Sequence, residues 1–250
     1  MDQSVVVTGA SSGLGQATAG ELAAAGYHVI LACRSHDRGE AAAAAIRDTS
    51  PGASLEVLAL DLASLASVRT SAETLRTEAP RPPLHALVCN AGIQVIDGTR
   101  RSADGYEVTF ATNHLGHFLL TNLLLPTLQP GGRIIVVSSG TPFGGVRALG
   151  FPSPTWLDPR VQADGAAAAL DPSPRAGRIR FANSKLANLY FTYELARRLH
   201  GTGVTCNAFD TRPHTGNQPV PRLPTPGPTP LHPPRPAGPA PPTSGRRRWN

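Results

Sequence analysis

Val5-Val6-Val7-Thr8-Gly9-Ala10-Ser11-Ser12-Gly13-Leu14-Gly15 decides the fold. Three valines in a row make a short buried strand, and the alanine-rich amphipathic run that starts at Leu14 makes a helix. Between them, glycines at 9, 13 and 15 permit a tight turn, close approach of backbone to a pyrophosphate, and close packing of helix on strand. The helix N-terminus adds free N–H groups that favour an anion. Gly9, Ser11, Ser12, Gly13, Leu14 and Gly15 are therefore the candidate phosphate cradle. A glycine pattern alone is weak, because any strand-to-helix turn recruits glycine, so the strand–turn–helix context carries the reading.

The same alternation continues along the chain. Aliphatic runs predict strands over residues 5–8, 28–33, 55–60, 86–90, 133–138 and 203–209, and amphipathic stretches predict helices over 14–25, 38–48, 64–78, 104–128 and 181–200. Six strands joined by five helical crossovers make an α/β, doubly wound parallel sheet. Residues 140–180, rich in Gly, Pro and Ala, break the rhythm and are too long for an ordinary connection, so they read as an insertion or lid. From 211 to 250 proline recurs with scarcely any apolar residue between, and such a tail is expected to be disordered.

Composition narrows the function classes. The chain of 250 residues carries a net charge of +6, but residues 211–250 hold six arginines and no acid, so residues 1–210 balance 17 basic against 17 acidic side chains. A neutral body argues against a nucleic-acid partner. Cys33, Cys89 and Cys206 each lie in or beside an apolar run, and an odd count implies reduced core thiols rather than a disulfide framework. The first apolar run is too short for a signal-peptide core, and the apolar stretch 115–128 is interrupted by His117, Thr121, Asn122 and Pro126. These features predict a single cytoplasmic domain over residues 1–210 without a membrane span or a metal site.

Cofactor choice is read at the end of the second strand. Ala32-Cys33-Arg34-Ser35 places a guanidinium where an acid would otherwise hold a ribose diol, which favours a 2′-phosphate and hence NADP, with Arg38 a second candidate.

At this point the G-x-x-x-G-x-G spacing resembles that of the short-chain dehydrogenases/reductases, a Rossmann-type family, and further motifs follow in order. Asp61-Leu62 resembles the pair bordering the adenine ring, and Asn90-Ala91-Gly92 the turn after the fourth strand. The run from Phe110 to Phe118 resembles the helix bearing the family's asparagine, here Asn113; Arg133 to Ser139 resembles the strand that ends in the catalytic serine, here Ser139; Ser184-Lys185 resembles the start of the active-site helix. The resemblance covers residues 4 to 210. It implies that Asn113, Ser139 and Lys185 are catalytic and that Lys185 also holds the cofactor ribose. Taken singly, Asn113 also reads as a helix–strand bridge, Asp61 as an N-cap, and Ser138 and Ser139 as turn formers.

Two departures stand out. The family's proton-donating tyrosine, four residues before the lysine, is Phe181 here, so carbonyl reduction is expected to be slight or absent; Tyr190 and Tyr193 lie too far along the helix to replace it. After Asp210 the family's Pro-Gly turn, substrate-binding helix and last strand are not found. Dropping the first base of the Thr211 codon lets permitted codons spell fourteen family-like residues beginning Pro-Gly, so residues 211–250 read as a frameshifted product, an expectation that the coding sequence tests; a proline-rich recognition segment is the competing reading. The spacing from Ser139 to Phe181 and the run Ser184-Lys185-Leu186-Ala187-Asn188 resemble the retinol dehydrogenase and protochlorophyllide reductase branch. That implies reduction of a bulky apolar carbonyl compound or a tetrapyrrole with NADPH; the competing reading is a catalytically inactive dinucleotide-binding protein or a nonfunctional gene product. A homo-oligomer is compatible with the resemblance, because family members pair through the helices predicted at 104–128 and 181–200.

Overall fold

The computed structural model describes residues 2–77, 81–143, 151–155, 158–164 and 171–210. The tail 211–250, with its expected disorder and reading frame, lies outside the described residues, as do 144–150, 156–157 and 165–170 within the predicted insertion.

Six strands, β1 Ser4–Thr8, β2 His28–Cys33, β3 Leu55–Ala59, β4 Leu84–Cys89, β5 Arg133–Val137 and β6 Thr205–Phe209, form one sheet of order β3-β2-β1-β4-β5-β6. Every pairing is parallel. The order reverses between β1 and β4, and that switch point opens a crevice at the carboxyl ends of the strands.

Period-two alternation sorts the strand residues into two cores. Val6, Ile30, Leu87, Ile134 and Cys206 point to one face; Val5, Val7, Val29, Leu31 and Val88 point to the other. On the second face lie α1 Gly13–Ala24 and α2 His36–Thr49, which contribute small residues such as Ala19, Ala23, Ala42 and Ala43 to that core. The first face is covered by α3 Leu65–Thr77 and two longer helices. One of these, α4, spans residues 108–124: it starts at Val108–Phe110, widens into a π turn at Ala111–Leu115 and resumes an α-helix over Gly116–Leu124. A short helix, α5 Pro159–Ala163, precedes the other, α6 Pro174–Arg198.

The structure corrects the reading of residues 140–180 and of the last helix. α6 begins at Pro174 rather than at Phe181, with Ser173 accepting from Ala176 N as its N-cap and proline at the first position. The Ser173-Pro174 pair carries that start signal. The predicted start at Asp104 moves to Val108, where the Glu107 carboxylate caps the helix by accepting from Thr109 N and Phe110 N. Among the described residues β6 forms one edge of the sheet, and Phe209 at its end is 51 % exposed beside a groove of about 380 Å³ lined by Ala86, Val88, Ile135 and Val137.

Two glycines test this packing in opposite directions. At Gly116 an added Cβ would run into Leu62 O and stand 2.9 Å from Leu62 Cβ, so α4 seats against the segment after β3 only without a side chain there. Gly20, inside α1, has room for a methyl group, with Ile46 Cγ1 in ordinary contact 3.8 Å from the added carbon. In urea unfolding, Gly116→Ala is expected to lower stability by about 1–3 kcal/mol through overpacking. Gly20→Ala is expected to raise it by about 0.5–1 kcal/mol through helix propensity.

Candidate dinucleotide cleft and active site

At the carboxyl ends of β1 to β4 lies a cleft of about 500 Å³. Of the residues predicted from sequence to bind cofactor, Gly9, Ser11, Ser12, Leu14, Gly15, Arg34, Asp61, Leu62, Asn90, Ala91 and Gly92 all line it. Gly13 does not, and an added Cβ there would meet nothing; its φ of +57° shows that it serves the turn by backbone conformation. The sequence reading missed Val108 and Thr112, which reach the cleft from α4, as well as Ser35 and Ile93. Ser35 and Ile93 adjoin residues that were named and Thr112 directly precedes Asn113 in the run Phe110 to Phe118, whereas no motif marks Val108.

The cradle is built by removing side chains. An added Cβ at Gly9, φ +68°, would stand 2.8 Å from Ala91 Cα, and one at Gly15 would strike Gly9 O and stand 2.5 Å from Asn90 Nδ2. The start of α1 is therefore held against the turns after β1 and β4. Side chains cap α2, α4 and α6, but Ser12 makes no cap hydrogen bond to α1. Donors at that end are left for an anion. The cleft is also lined by Arg34 and Ser35, just after β2, and by Arg38 in the first turn of α2. Asp61 accepts from Ala63 N through Oδ1 at 2.9 Å and so closes a turn, while Ser35 is the N-cap of α2, accepting from Arg38 N.

Asn113, in the π turn of α4, bridges three segments. Its Oδ1 accepts from Ile93 N at 2.8 Å, and its Nδ2 donates to Ile93 O and to Ser184 Oγ, each at 3.0 Å. Ser184 Oγ in turn donates to Phe181 O. These bonds tie α4 to the segment after β4 and to α6, and Asn113 also lies beside Gly92, close to Lys185. Ser138 Oγ donates to Lys185 O, which commits that hydroxyl to packing β5 against α6. Ser139 comes one residue later, half-buried, and accepts from Thr141 N at 3.2 Å.

Lys185 is the single lysine of the chain. Its ammonium is buried, donates to Val137 O at 3.0 Å and lies 5.7 Å from the centre of the Phe181 ring. Burial lowers its pKa to about 8, because desolvation disfavours the charged form. Phe181 packs on Phe151, with ring centres 5.7 Å apart. No hydroxyl therefore stands at position 181, and Tyr193, two turns beyond Lys185 on α6, is 58 % exposed. All three cysteines are free and buried, with burial pushing the Cys89 and Cys206 thiols up to about 12.

His117 on α4 is buried and neutral. Desolvation lowers its pKa to about 4, aided by nearby Lys185 and His114 and opposed by the hydrogen bond to Asn113 O. The folded state therefore binds fewer protons than the unfolded chain between pH 4 and 6.5, so stability is intact above pH 6.5 and is lost as pH falls toward 4. His114, also lowered by burial, adds to the same loss. Denaturation midpoints recorded from pH 7 to pH 4 should fall steadily, with His117 contributing on the order of 3 kcal/mol at the acid end. A flatter curve in His117→Gln is the expected control.

Comparison with known proteins agrees with this geometry. Residues 3–150 match the family model described as short chain dehydrogenase. Dehydrogenase/reductase SDR family member 13 of Bos taurus is 46% identical over 208 residues, covering 82% of this chain and 50% of the relative. Retinol dehydrogenase 14 of Mus musculus is 41% identical, covering 82% of this chain and 59% of the relative, so the chain spans little more than half the length of these proteins. A solved short-chain dehydrogenase from Sphingobium yanoikuyae in complex with NADPH superposes with a TM-score of 0.60 at 25% identity, over 82% of this chain and 69% of that one. The crevice at the switch point, the uncapped glycine turn and the ordered motifs thus have one common explanation: the chain belongs to the short-chain dehydrogenase/reductase family of oxidoreductases, on its retinol dehydrogenase-like branch.

Proposed function

We propose that the chain binds NADP(H) and descends from reductases of bulky apolar carbonyl compounds, with the chemical step impaired by Phe181. The observation that carries this reading is the cleft itself, where an uncapped helix N-terminus and Arg34, Ser35 and Arg38 line one cavity. The first suits a pyrophosphate and the second a 2′-phosphate. The NADPH complex of the Sphingobium structure supports the same choice, and the name of retinol dehydrogenase 14 supports an apolar alcohol or aldehyde.

The glycine cradle fits the group, since the absence of side chains at Gly9 and Gly15 lets the start of α1 sit against the turns after β1 and β4 with its N-terminal donors uncapped. When bound, NADPH supplies a hydride. α1 would hold the pyrophosphate and Arg34 the 2′-phosphate. Ser139 is the hydroxyl beyond β5 left to orient a carbonyl. Lys185 keeps a positive charge at neutral pH, where its lowered pKa still leaves it mostly protonated. Phe181 places an apolar ring beside that ammonium and has no proton to give. The site therefore carries groups suited to dinucleotide binding and lacks a proton donor at position 181.

Restoring the hydroxyl should restore the chemistry. With an apolar aldehyde and saturating NADPH, Phe181→Tyr is expected to turn over ~10²–10⁴-fold faster than the parent, the usual worth of a general acid. Equal rates would overturn the assignment. Substituting Arg34 with alanine should weaken NADPH binding by roughly 10- to 100-fold, the worth of a hydrogen-bonded charge, and leave NADH binding unchanged. Equal losses for both dinucleotides in calorimetry would remove the phosphate-binding role.

A further inference from the structure

The hydroxyl of Thr8, the last residue of β1, holds the two turns of the cleft together. Its oxygen accepts from Asn90 N at 2.9 Å and from Ala91 N at 3.0 Å, which occupies both lone pairs. Its single proton then has two acceptors within reach, Val88 O at 3.2 Å and His117 Nε2 at 2.9 Å. The imidazole is the nearer.

Which nitrogen of His117 bears the proton follows from its other bond. Nδ1 lies 3.1 Å from Asn113 O, a carbonyl that only accepts, so Nδ1 donates there and Nε2 is left as an acceptor. A proton on Nε2 would compete with Asn90 and Ala91 for the lone pairs of Thr8 and force one of their N–H groups out of the turn. Burial, which holds His117 neutral, preserves the arrangement. His117 is 2 % exposed and does not line the cleft, so its effect on a ligand passes through Thr8.

We infer that His117 is a positioning residue for the dinucleotide, accepting the Thr8 hydroxyl proton and thereby keeping the glycine turn after β1 in register with the Asn90-Ala91-Gly92 turn. This rests on the reading of the cleft as an NADP(H) site. It assigns to α4 a part in cofactor binding that neither Val108 nor Thr112, its cleft-lining residues, supplies. It also links the cleft to α6, because the carbonyl that orients His117 belongs to Asn113, whose side chain reaches Ser184 on that helix.

Two amide substitutions separate the bonds. A glutamine at 117 can present its oxygen where Nε2 stands and keep the bond to Thr8, whereas asparagine reaches only the Nδ1 position and keeps the bond to Asn113 O. NADPH dissociation constants and thermal midpoints are measured on the full chain and both variants. His117→Gln should bind NADPH within about threefold of the parent and His117→Asn at least tenfold more weakly, although both lose one hydrogen bond of the same kind. Equal affinities in the two variants, or affinities that merely follow the thermal midpoints, overturn the inference. Thr8→Val tests the same bond from its other end and should weaken binding at least as much as His117→Asn, with His117→Asn adding nothing further in the double variant; parent-like binding by Thr8→Val also overturns it. If the parent itself fails to bind NADPH, the functional reading falls and this inference falls with it, whereas a binding parent with indifferent variants removes the inference alone.

Discussion

The structure depends on the exclusion of side-chain carbon from one small volume, where the start of α1 meets the turns after β1 and β4. Gly15 lies so close to Gly9 O and Asn90 Nδ2, and Gly9 so close to Ala91 Cα, that no other residue fits at either position without moving backbone. That closeness lets a helix N-terminus approach the central strands of the sheet with its donors uncovered. It also places those donors at the switch point between β1 and β4, where the crevice forms because the crossovers leave in opposite directions. Fold and binding site therefore share one cause.

Polar groups around this crevice hold its walls together. Thr8, Asn113, His117, Ser138 and Ser184 are buried, and each is hydrogen-bonded across a long stretch of sequence. Buried polar groups cost stability unless paired, so a network of this kind specifies one arrangement of β1, β4, α4 and α6. Within it Lys185 is the exception. Its charge is buried against Phe181 with a backbone carbonyl as its hydrogen-bond acceptor, and its lowered pKa records the cost. A tyrosine at 181 would offer a hydroxyl on the helix face that Lys185 shares; a phenylalanine keeps the packing and loses the proton.

Much of this was legible in the residues. Strand and helix periodicities, the glycine spacing and the order of short motifs led to the six parallel strands and to all but Gly13 and Lys185 of the named cofactor residues lining one cleft. The start of α6 was misplaced because the proline and glycine content of residues 140–180 suggested a loop, while the short Ser173-Pro174 start signal within it was passed over. The π turn at Ala111–Leu115 was also unforeseen, since it inserts a wider ring of hydrogen bonds without any change in apolar period.

Local chemistry, then, is written in short stretches: a glycine where φ is positive, an arginine just after the second strand, a phenylalanine four residues before the lysine. Those follow from backbone sterics and side-chain valence, which act over a few residues. Other properties required the folded chain. The neutrality of His117, the bond from its ring to a threonine 109 residues away, and the reach of Val108 and Thr112 into the cleft exist only after α4 has docked on the sheet. Desolvation and long-range hydrogen bonds are properties of proximity in space, and no run of neighbours along the chain encodes them.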